Sequence, residues 1–423
     1  MARKQADTTA YDLIVVGGGA SGMMAAGRAA ERGKKVLLIE KNPKLGAKLS
    51  ITGGGRCNIT NAEDDVRKFL AHYEDAEPFL HSPFSVFGVK ETFSFFESHG
   101  LPLVVQARQR VFPKTERATD VTRVLIEYVK KNGVTVKLGT RVTEMLRERI
   151  EGGRFVIRGV RIGTIEYRSA NVLIATGGIS HPETGSTGDG FSWLRQLGHT
   201  VAQPTPTVVP LRVHDEWVKE LSGVSLSFMK ITFFVDGKKA FSKMGKILFT
   251  HFGISSPLIL NSAGKVAELL KQGTVTATID AYPDTDLGAL DERIRKAFDQ
   301  HKNKFVRTLL PEIVPDGTAP VVLSMLTLMN GETKVHSVTK EARRELVDLL
   351  KALPLTIIGL MGADRAVVMD GGIPLAEVDM RTMRSKVVKG LLVTGDLLHV
   401  TRPSGGYSLQ LCWTTGFAAG NAI

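Results

Sequence analysis

Apolar runs recur along the chain, each closed by glycine or a polar turn, and their periods predict the elements. Leu13–Val16 is four aliphatic residues in succession, which suits a strand buried on both faces. Residues 23–32 have the composition of a helix, and Val36–Ile39 is a second buried strand ending at Glu40. Residues 63–100 read as largely helical, with Phe84, Phe87, Phe93, Phe95 and Phe96 assigned to the core. Residues 103–106 form a short extended piece. Residues 120–131 predict a helix with Val121, Val124, Leu125 and Tyr128 on one face, followed by a strand at 134–138. Residues 154–161 and 164–167 alternate as a small meander. Residues 171–176 are another buried strand, stopped by Gly177 and Gly178, and 191–197 form a helix with Gly198 as its C-cap.

The pattern changes at Pro204, Pro206 and Pro210, a linker signature. Residues 225–235, 238–243, 246–250 and 274–280 then alternate as strands of an antiparallel domain. Residues 286–298, 304–310, 319–328 and 340–351 look helical and carry many basic residues. Strands at 353–360 and 365–369 lead back, a strand at 391–394 follows, and 408–419 make the last helix. The expected division is a first dinucleotide-binding part at 1–205 and a β domain at 206–285. A helical sub-domain follows at 286–340, a returning β segment at 341–365, and the second dinucleotide-binding part at 366–423.

Between the first strand and helix stand Gly17, Gly19 and Gly22, in the order G-x-G-x-x-G. The first allows a tight turn, the second clears a path for a pyrophosphate, and the third lets helix and strand pack closely. The helix N-terminus would face the phosphates, and Glu40 is placed to bind a ribose hydroxyl. Strand, helix, strand and acid in that order predict dinucleotide binding. Val142, after the strand at 134–138, is expected beside adenine. Asp396, after Gly395 at the end of the 391–394 strand, is expected on a ribitol hydroxyl of a flavin, so the two ends of the chain would make one site.

The connection at 41–61 is glycine-rich and cationic. Gly53, Gly54 and Gly55 would bring backbone close to a flat ligand, and Lys48 and Arg56 would face phosphate or a substrate anion. Cys57 is a candidate redox thiol because Arg56 adjoins it, with a small buried residue as the competing reading. Arg110 and Lys114 bracket Phe112 and Pro113 in a candidate substrate-side or interdomain loop. His181 is read as a solvated histidine and His251 as a residue that could approach substrate. No histidine or cysteine recurs at metal-ligand spacing, so no metal is expected.

The chain has 423 residues, a formal net charge of +12 and two cysteines. Two cysteines make no disulfide framework, the N-terminus lacks a secretory apolar core, and no apolar run is long enough for a membrane span. A cytoplasmic protein without stable membrane association is expected. Lys and Arg are spread along the whole chain without zinc-finger spacing, so an anionic cofactor accounts for the charge better than nucleic acid does.

Segments 17–26, 44–61, 110–121, 175–190, 249–260, 371–400 and 405–420, taken together, resemble the HI0933-like (BaiN-like) flavoprotein family, which includes NAD(P)/FAD-dependent and aminoacetone oxidase-like oxidoreductases. The resemblance implies an α/β fold: an FAD-binding Rossmann-like (GR2-type) domain split in sequence, with an inserted antiparallel β-barrel-like domain and a small helical domain. It implies FAD around Gly17, Gly19, Ala20, Ser21 and Gly22 at the diphosphate, with Glu40 and Lys41 at the ribose. Lys48, Thr52, Gly55, Arg56, Cys57 and Asn58 would lie on the flavin side, and Val142, Thr176 and Gly177 along the cofactor. Gly395, Asp396, Gly406, Tyr407, Ser408 and Leu409 would close the site. Asp396 stands where the family often has glutamate, and His399 and Arg402 depart from its plainer pattern. The implied activity is electron transfer through flavin N5 between NAD(P)H, bound transiently, or a small organic substrate and an acceptor. Cys57, His251 and Arg402 are the catalytic candidates. A tRNA-modifying flavoprotein and a non-catalytic redox sensor are the alternatives. Monomer and homodimer are equally compatible with the sequence.

Overall fold

A computed structural model describes residues 5–6, 10–150, 152–362, 364–366 and 368–423. The chain forms two units, Met1–Thr205 with Val367–Ile423, and Pro206–Ala366.

The first unit is built on a sheet with five parallel strands. In chain order these are β1 (Leu13–Val16), β2 (Val36–Ile39), β3 (Thr135–Lys137), β4 (Val172–Ile174) and β5 (Leu391–Val393). Their spatial order is β5-β4-β1-β2-β3, with Ile14 opposite both Leu37 and Val172, and Val172 opposite Leu391. Short antiparallel strands at Val378–Asp379 and Arg384–Ser385 extend the sheet beyond β5. All residues of β1, β2, β4 and β5 are buried, as aliphatic strands covered on both faces must be.

Helix α1 (Ala20–Glu31) follows β1, α2 (Ala118–Lys131) precedes β3, and α3 (Tyr407–Asn421) ends the chain. Helix α2 turns Val121, Val124, Leu125 and Tyr128 inward, the face its spacing predicts. Small residues set how closely the helices meet. A Cβ on Gly27 of α1 would come within 2.3 Å of the Tyr128 ring, and one on Gly420 of α3 within 2.5 Å of the Ala25 carbonyl. The region expected to be largely helical divides into Val66–Ala71, Glu77–Val86 and Val89–Ser98.

The second unit closes six strands into a barrel: Leu211–Val213, Gly253–Ser255, Lys238–Thr250, Ser225–Val235, Val275–Asp280 and Leu353–Leu360, in that spatial order. Ile231, Phe233, Ile247, Phe249, Ile279 and Leu355 are buried. The two strands expected at 238–243 and 246–250 are one strand, because Gly245 sits opposite Met229 beside a bulge and does not turn the chain. The helices of this unit, among them Leu287–Gln300 and Lys340–Lys351, have a core of their own around Leu290, Ile294, Val306 and Leu346. The strand expected at 365–369 begins at Val368 and runs to Gly372. Among the described residues no helix is long and apolar enough to cross a membrane.

Candidate functional site

Strands β1, β4 and β5 end side by side, and the backbone beyond them makes a cleft. Gly17 turns the chain after β1 at φ +110, and a Cβ there would come within 2.4 Å of the Ala175 carbonyl oxygen. A Cβ on Gly22 would come to 1.9 Å from the Gly17 oxygen, so α1 packs against the turn at backbone distance. Gly19 differs: a Cβ there would meet nothing within 4 Å. Helix α1 has no side-chain cap and no acidic residue in its first turn. Its first amides and the positive end of its dipole are therefore left for an anion.

The cleft encloses about 930 Å³, its open mouth included, and is lined by Gly17, Gly18, Gly19, Ala20, Ser21, Glu40, Lys48, Thr52, Thr176, Gly177, Asp396, Ser408, Leu409 and Cys412, among others. A second cavity of about 350 Å³ shares Gly17, Glu40, Thr176 and Gly185 with it and adds Lys41, Arg141, Val142 and Trp193. Together they form one elongated depression along the strand ends, where open α/β sheets bind ligands. Thr176 lines both parts, and its Oγ1 is buried without a hydrogen-bond partner.

Glu40 sits at the junction, with Oε2 accepting from the Gly18 N–H at 2.7 Å and Oε1 from the Asn42 N–H at 2.8 Å. Lys41 donates to Asp189 at 2.9 Å and Thr187 at 2.5 Å, and Arg141 reaches Asp189 at 3.0 Å. Burial would raise the Asp189 carboxyl, but Lys41 and Arg141 hold it below its ordinary value.

Across the cleft, Lys48 donates to Ser180 at 2.5 Å and pairs with Asp396 at 3.4 Å. Arg402 is buried and donates to Asp396, to the Val400 carbonyl at 2.6 Å and to Ser408 at 3.1 Å. Burial pushes the Asp396 carboxyl up, and Lys48 and Arg402 outweigh it, so the group lies below its ordinary value. Arg402, expected as a catalytic candidate, is thus occupied in holding Asp396 and the start of α3. His399 pairs with Asp370 at 3.2 Å.

Other expected residues lie outside the lining. Gly395 accepts a close neighbour in Ser21 and donates its N–H to Thr415 at 3.2 Å. Gly406 packs on the Thr60 backbone, and the Tyr407 carbonyl accepts from the Tyr73 hydroxyl at 2.8 Å. Gly55 is exposed, and Asn58 Oδ1 is buried without a partner. Cys57 is fully buried, and that burial pushes its thiol up. The Arg56 guanidinium, whose charge made Cys57 a redox candidate, stacks on Phe112 at 4.3 Å and bonds to Gln106 and Glu116. These surroundings favour the inert thiol, not a thiolate. Both cysteines are free. His251 belongs to the second unit, exposed in the turn after Thr250 with its ring 4.9 Å from that of Phe252. His181 bonds to Glu183 at 2.9 Å. Among the described residues no group of three or more His, Cys, Asp or Glu could hold a metal ion.

Ser180 and Cys412 carry no motif in the sequence that marks them as site residues. Cys412 lies four residues after Ser408 on α3, hence on the same face, a spacing that marks it once the helix is known. Burial, with Asp396 nearby, pushes its thiol up to about 12.

The model of the HI0933-like protein Rossmann domain family matches residues 11–422. The chain belongs to this family. Among curated proteins it is 31% identical over 417 residues to the 3-dehydro-bile acid delta(4,6)-reductase of Clostridium scindens, covering 96% of this chain and 98% of that one. It is 28% identical over 413 residues to the ribosomal RNA dihydrouridine synthase of Haemophilus influenzae, covering 97% and 98%. Among solved structures, the 3-ketosteroid delta1-dehydrogenase of Sterolibacterium denitrificans aligns with a TM-score of 0.55 at 13% identity, covering 98% of this chain and 99% of that one. That likeness is one of fold. The matched residues span both parts of the split sheet, in which β1 and β5 come from distant parts of the chain.

Proposed function

We propose that the protein is an FAD-dependent oxidoreductase that adds hydrogen across a C=C bond next to a carbonyl, drawing electrons from NAD(P)H. The observation that carries the cofactor is the two-part cleft at the strand ends, bare of side chain at Gly19 and facing an uncapped helix. Unpartnered Thr176 Oγ1 fits the same reading. The names of the two full-length relatives carry the reaction class, since a delta(4,6)-reductase and a dihydrouridine synthase both saturate a C=C bond conjugated to a carbonyl.

FAD in this cleft supplies a ring that takes up and gives back a hydride. The chain's residues bind and orient it. The N–H groups around Gly19 and Ser21 receive the diphosphate, Glu40 a ribose hydroxyl, and Val142 and Trp193 the adenine. Asp396 stays ionised between Lys48 and Arg402, so it accepts from ribityl hydroxyls and does not donate a proton. Lys48 brings positive charge to the flavin side. Cys412 remains a neutral thiol and adds no negative charge beside the cofactor. A sensing role through Cys57 is disfavoured by its burial.

Anaerobic titration with NADH and NADPH tests this reading. A yellow protein should bleach with one of them and regain its colour with an enone or uridine acceptor. Flavin that neither donor bleaches would remove the nicotinamide link, and a colourless protein that takes up no added FAD would end the reading. A second reading, with a base in RNA as the acceptor, is favoured by the charge of +12 and by the dihydrouridine synthase relative. Retention on a polyanion column at high salt with co-purifying RNA supports it, and elution at low salt free of RNA rejects it.

A further inference from the structure

Outside the cleft the first unit gathers positive charge at one place. Arg56, on the loop that leaves the cleft at Thr52, and Arg110, at the start of the strand Arg110–Pro113, set their guanidinium carbons over the Phe112 ring at 4.3 and 6.0 Å. Arg108, two residues before Arg110, is exposed. The crowding has a cost: Arg110 is held below its ordinary value first by burial and then by Arg108 and Arg56. Among the described residues one carboxylate pairs with the group, Glu116 at 2.7 Å from Arg56, while Arg110 Nε donates to the Ala107 carbonyl at 3.2 Å. Arg56 Nε is buried without a partner.

The backbone here is also costly. Cys57, Arg108, Gln109 and Glu116 all lie in the left-handed region, with φ between 52° and 62°. The segments that carry them are clasped together, Ala118 N–H to the Gly55 carbonyl at 2.7 Å and Ala62 N–H to the Gln109 carbonyl at 2.7 Å. Strained backbone persists where surrounding structure holds it, and it collects at ligand sites. Stacking on Phe112 and the bonds to Gln106, Glu116 and the Ala107 carbonyl hold Arg56 and Arg110, yet they leave neighbouring cations repelling one another. A bound oxyanion would offset that repulsion, because a carboxylate or phosphate group accepts paired N–H bonds from arginine.

We propose that Arg56, Arg108 and Arg110 form a binding site for an oxyanion, a carboxylate or phosphate group, carried by the molecule on which this protein acts. The proposal rests on the oxidoreductase reading in one respect, that it calls this molecule the substrate. The bound group would anchor the substrate one tight turn of chain beyond Thr52, leaving the rest of it free to reach the cleft.

Calorimetric titration of the purified full chain with sodium phosphate and, separately, disodium succinate tests the site. At least one should bind saturably, and Arg56→Gln and Arg108→Gln should each weaken that binding roughly tenfold or more, the loss of a charge-assisted pair of hydrogen bonds. Preference for phosphate identifies a phosphate-bearing substrate, and preference for succinate a carboxylate. Arg344→Gln, which removes a cation from the other unit, should leave binding unchanged. Arg108 is exposed, so its variant keeps the fold even if that at Arg56 does not. Saturable binding of neither anion, or equal weakening by Arg344→Gln, overturns the proposal. Flavin content is read on the same samples: a protein that takes up no added FAD, yet binds the anion and loses that binding in Arg108→Gln, fails the oxidoreductase reading and leaves the site standing.

Discussion

Gly416 lies against Ser21 so closely that a Cβ on it would come within 2.5 Å of the Ser21 carbonyl oxygen. This contact, repeated one turn on by Gly420 over Ala25, packs α3 on α1 at backbone distance and brings Ser408, Leu409 and Cys412 to the cleft that α1 opens. Alanine at Gly416 gains helix propensity, about 1 kcal/mol, but must push the helices apart. Overpacking of this kind costs about 1–3 kcal/mol and can exceed the upper figure where the obstacle is backbone. Gly416→Ala should therefore lower the urea midpoint and reduce the FAD that the protein retains on gel filtration. An unchanged midpoint would mean that the helices have slack at this contact.

Gly19 and Gly22 belong to one motif and should fail differently. Gly19→Ala places a methyl in open space, so the fold should be kept while FAD binding weakens. Gly22→Ala drives a methyl to 1.9 Å from the Gly17 oxygen, so stability itself should fall, by about 3 kcal/mol or more. Thermal unfolding of the two apoproteins, followed by FAD titration, separates these outcomes. Equal loss of stability in both would mean that Gly19 is a packing glycine, and the cleft would lose its main argument as a diphosphate site.

Much of the fold is legible because its signals are local. Leu13–Val16 followed by Gly17, Gly19 and Gly22 declares strand, turn and helix within ten residues of chain, roughly the span over which periodicity carries information. The alternation in Ser225–Val235 and Val275–Asp280 reads as strands, but closure into a barrel depends on pairing across distant chain, as between Lys230 and Asp280. At the site, Glu40 and Asp396 are legible from their places after strands. The partners that fix Asp396, Lys48 and Arg402, are cations among many, and proximity alone distinguishes them. Cys57 could be read as a thiolate stabilised by Arg56 or as a small buried residue, and the second agrees with its burial: the two side chains part, the thiol into the core and the guanidinium onto Phe112.

His199 gives a pH dependence. Its ring is buried between Glu377, 2.6 Å from Nδ1, and Ser385, 2.8 Å from Nε2. Ser385 Oγ also accepts from the Val388 N–H at 2.8 Å, so its own hydrogen is free for His199. Burial lowers the histidine and Glu377 opposes it, with the net shift downward. The folded protein therefore resists taking up a proton that the unfolded chain accepts near pH 6.5, with a histidine's ordinary affinity. Stability is full above that pH and falls as pH drops through it, by at most about 1.4 kcal/mol per unit, levelling off below the folded value. Urea unfolding between about pH 8 and pH 5 should show this decline in the wild type and lose it in His199→Gln. A slope that persists in the variant would assign it to other groups.

Arg402 and Asp396 should not be equivalent when one is removed. The Arg402 side chain is 2% exposed, whereas that of Asp396 is 23% exposed and keeps Lys48 at 3.4 Å. Asp396→Asn leaves a buried guanidinium with neutral partners only, the new amide oxygen, the Val400 carbonyl and the Ser408 hydroxyl, and an uncompensated buried charge of this kind costs about 3–5 kcal/mol. Arg402→Met removes the buried charge itself and leaves the carboxylate with an ammonium and a wet side, so its cost should be smaller, about 1–2 kcal/mol. The pair together, Asp396→Asn with Arg402→Met, should recover part of the loss of the first alone. Denaturant midpoints of the three variants measure this. If Arg402→Met proves the more damaging, the guanidinium is needed mainly to tie Val400 and Ser408 to the start of α3, and the charge of Asp396 is secondary to that tie.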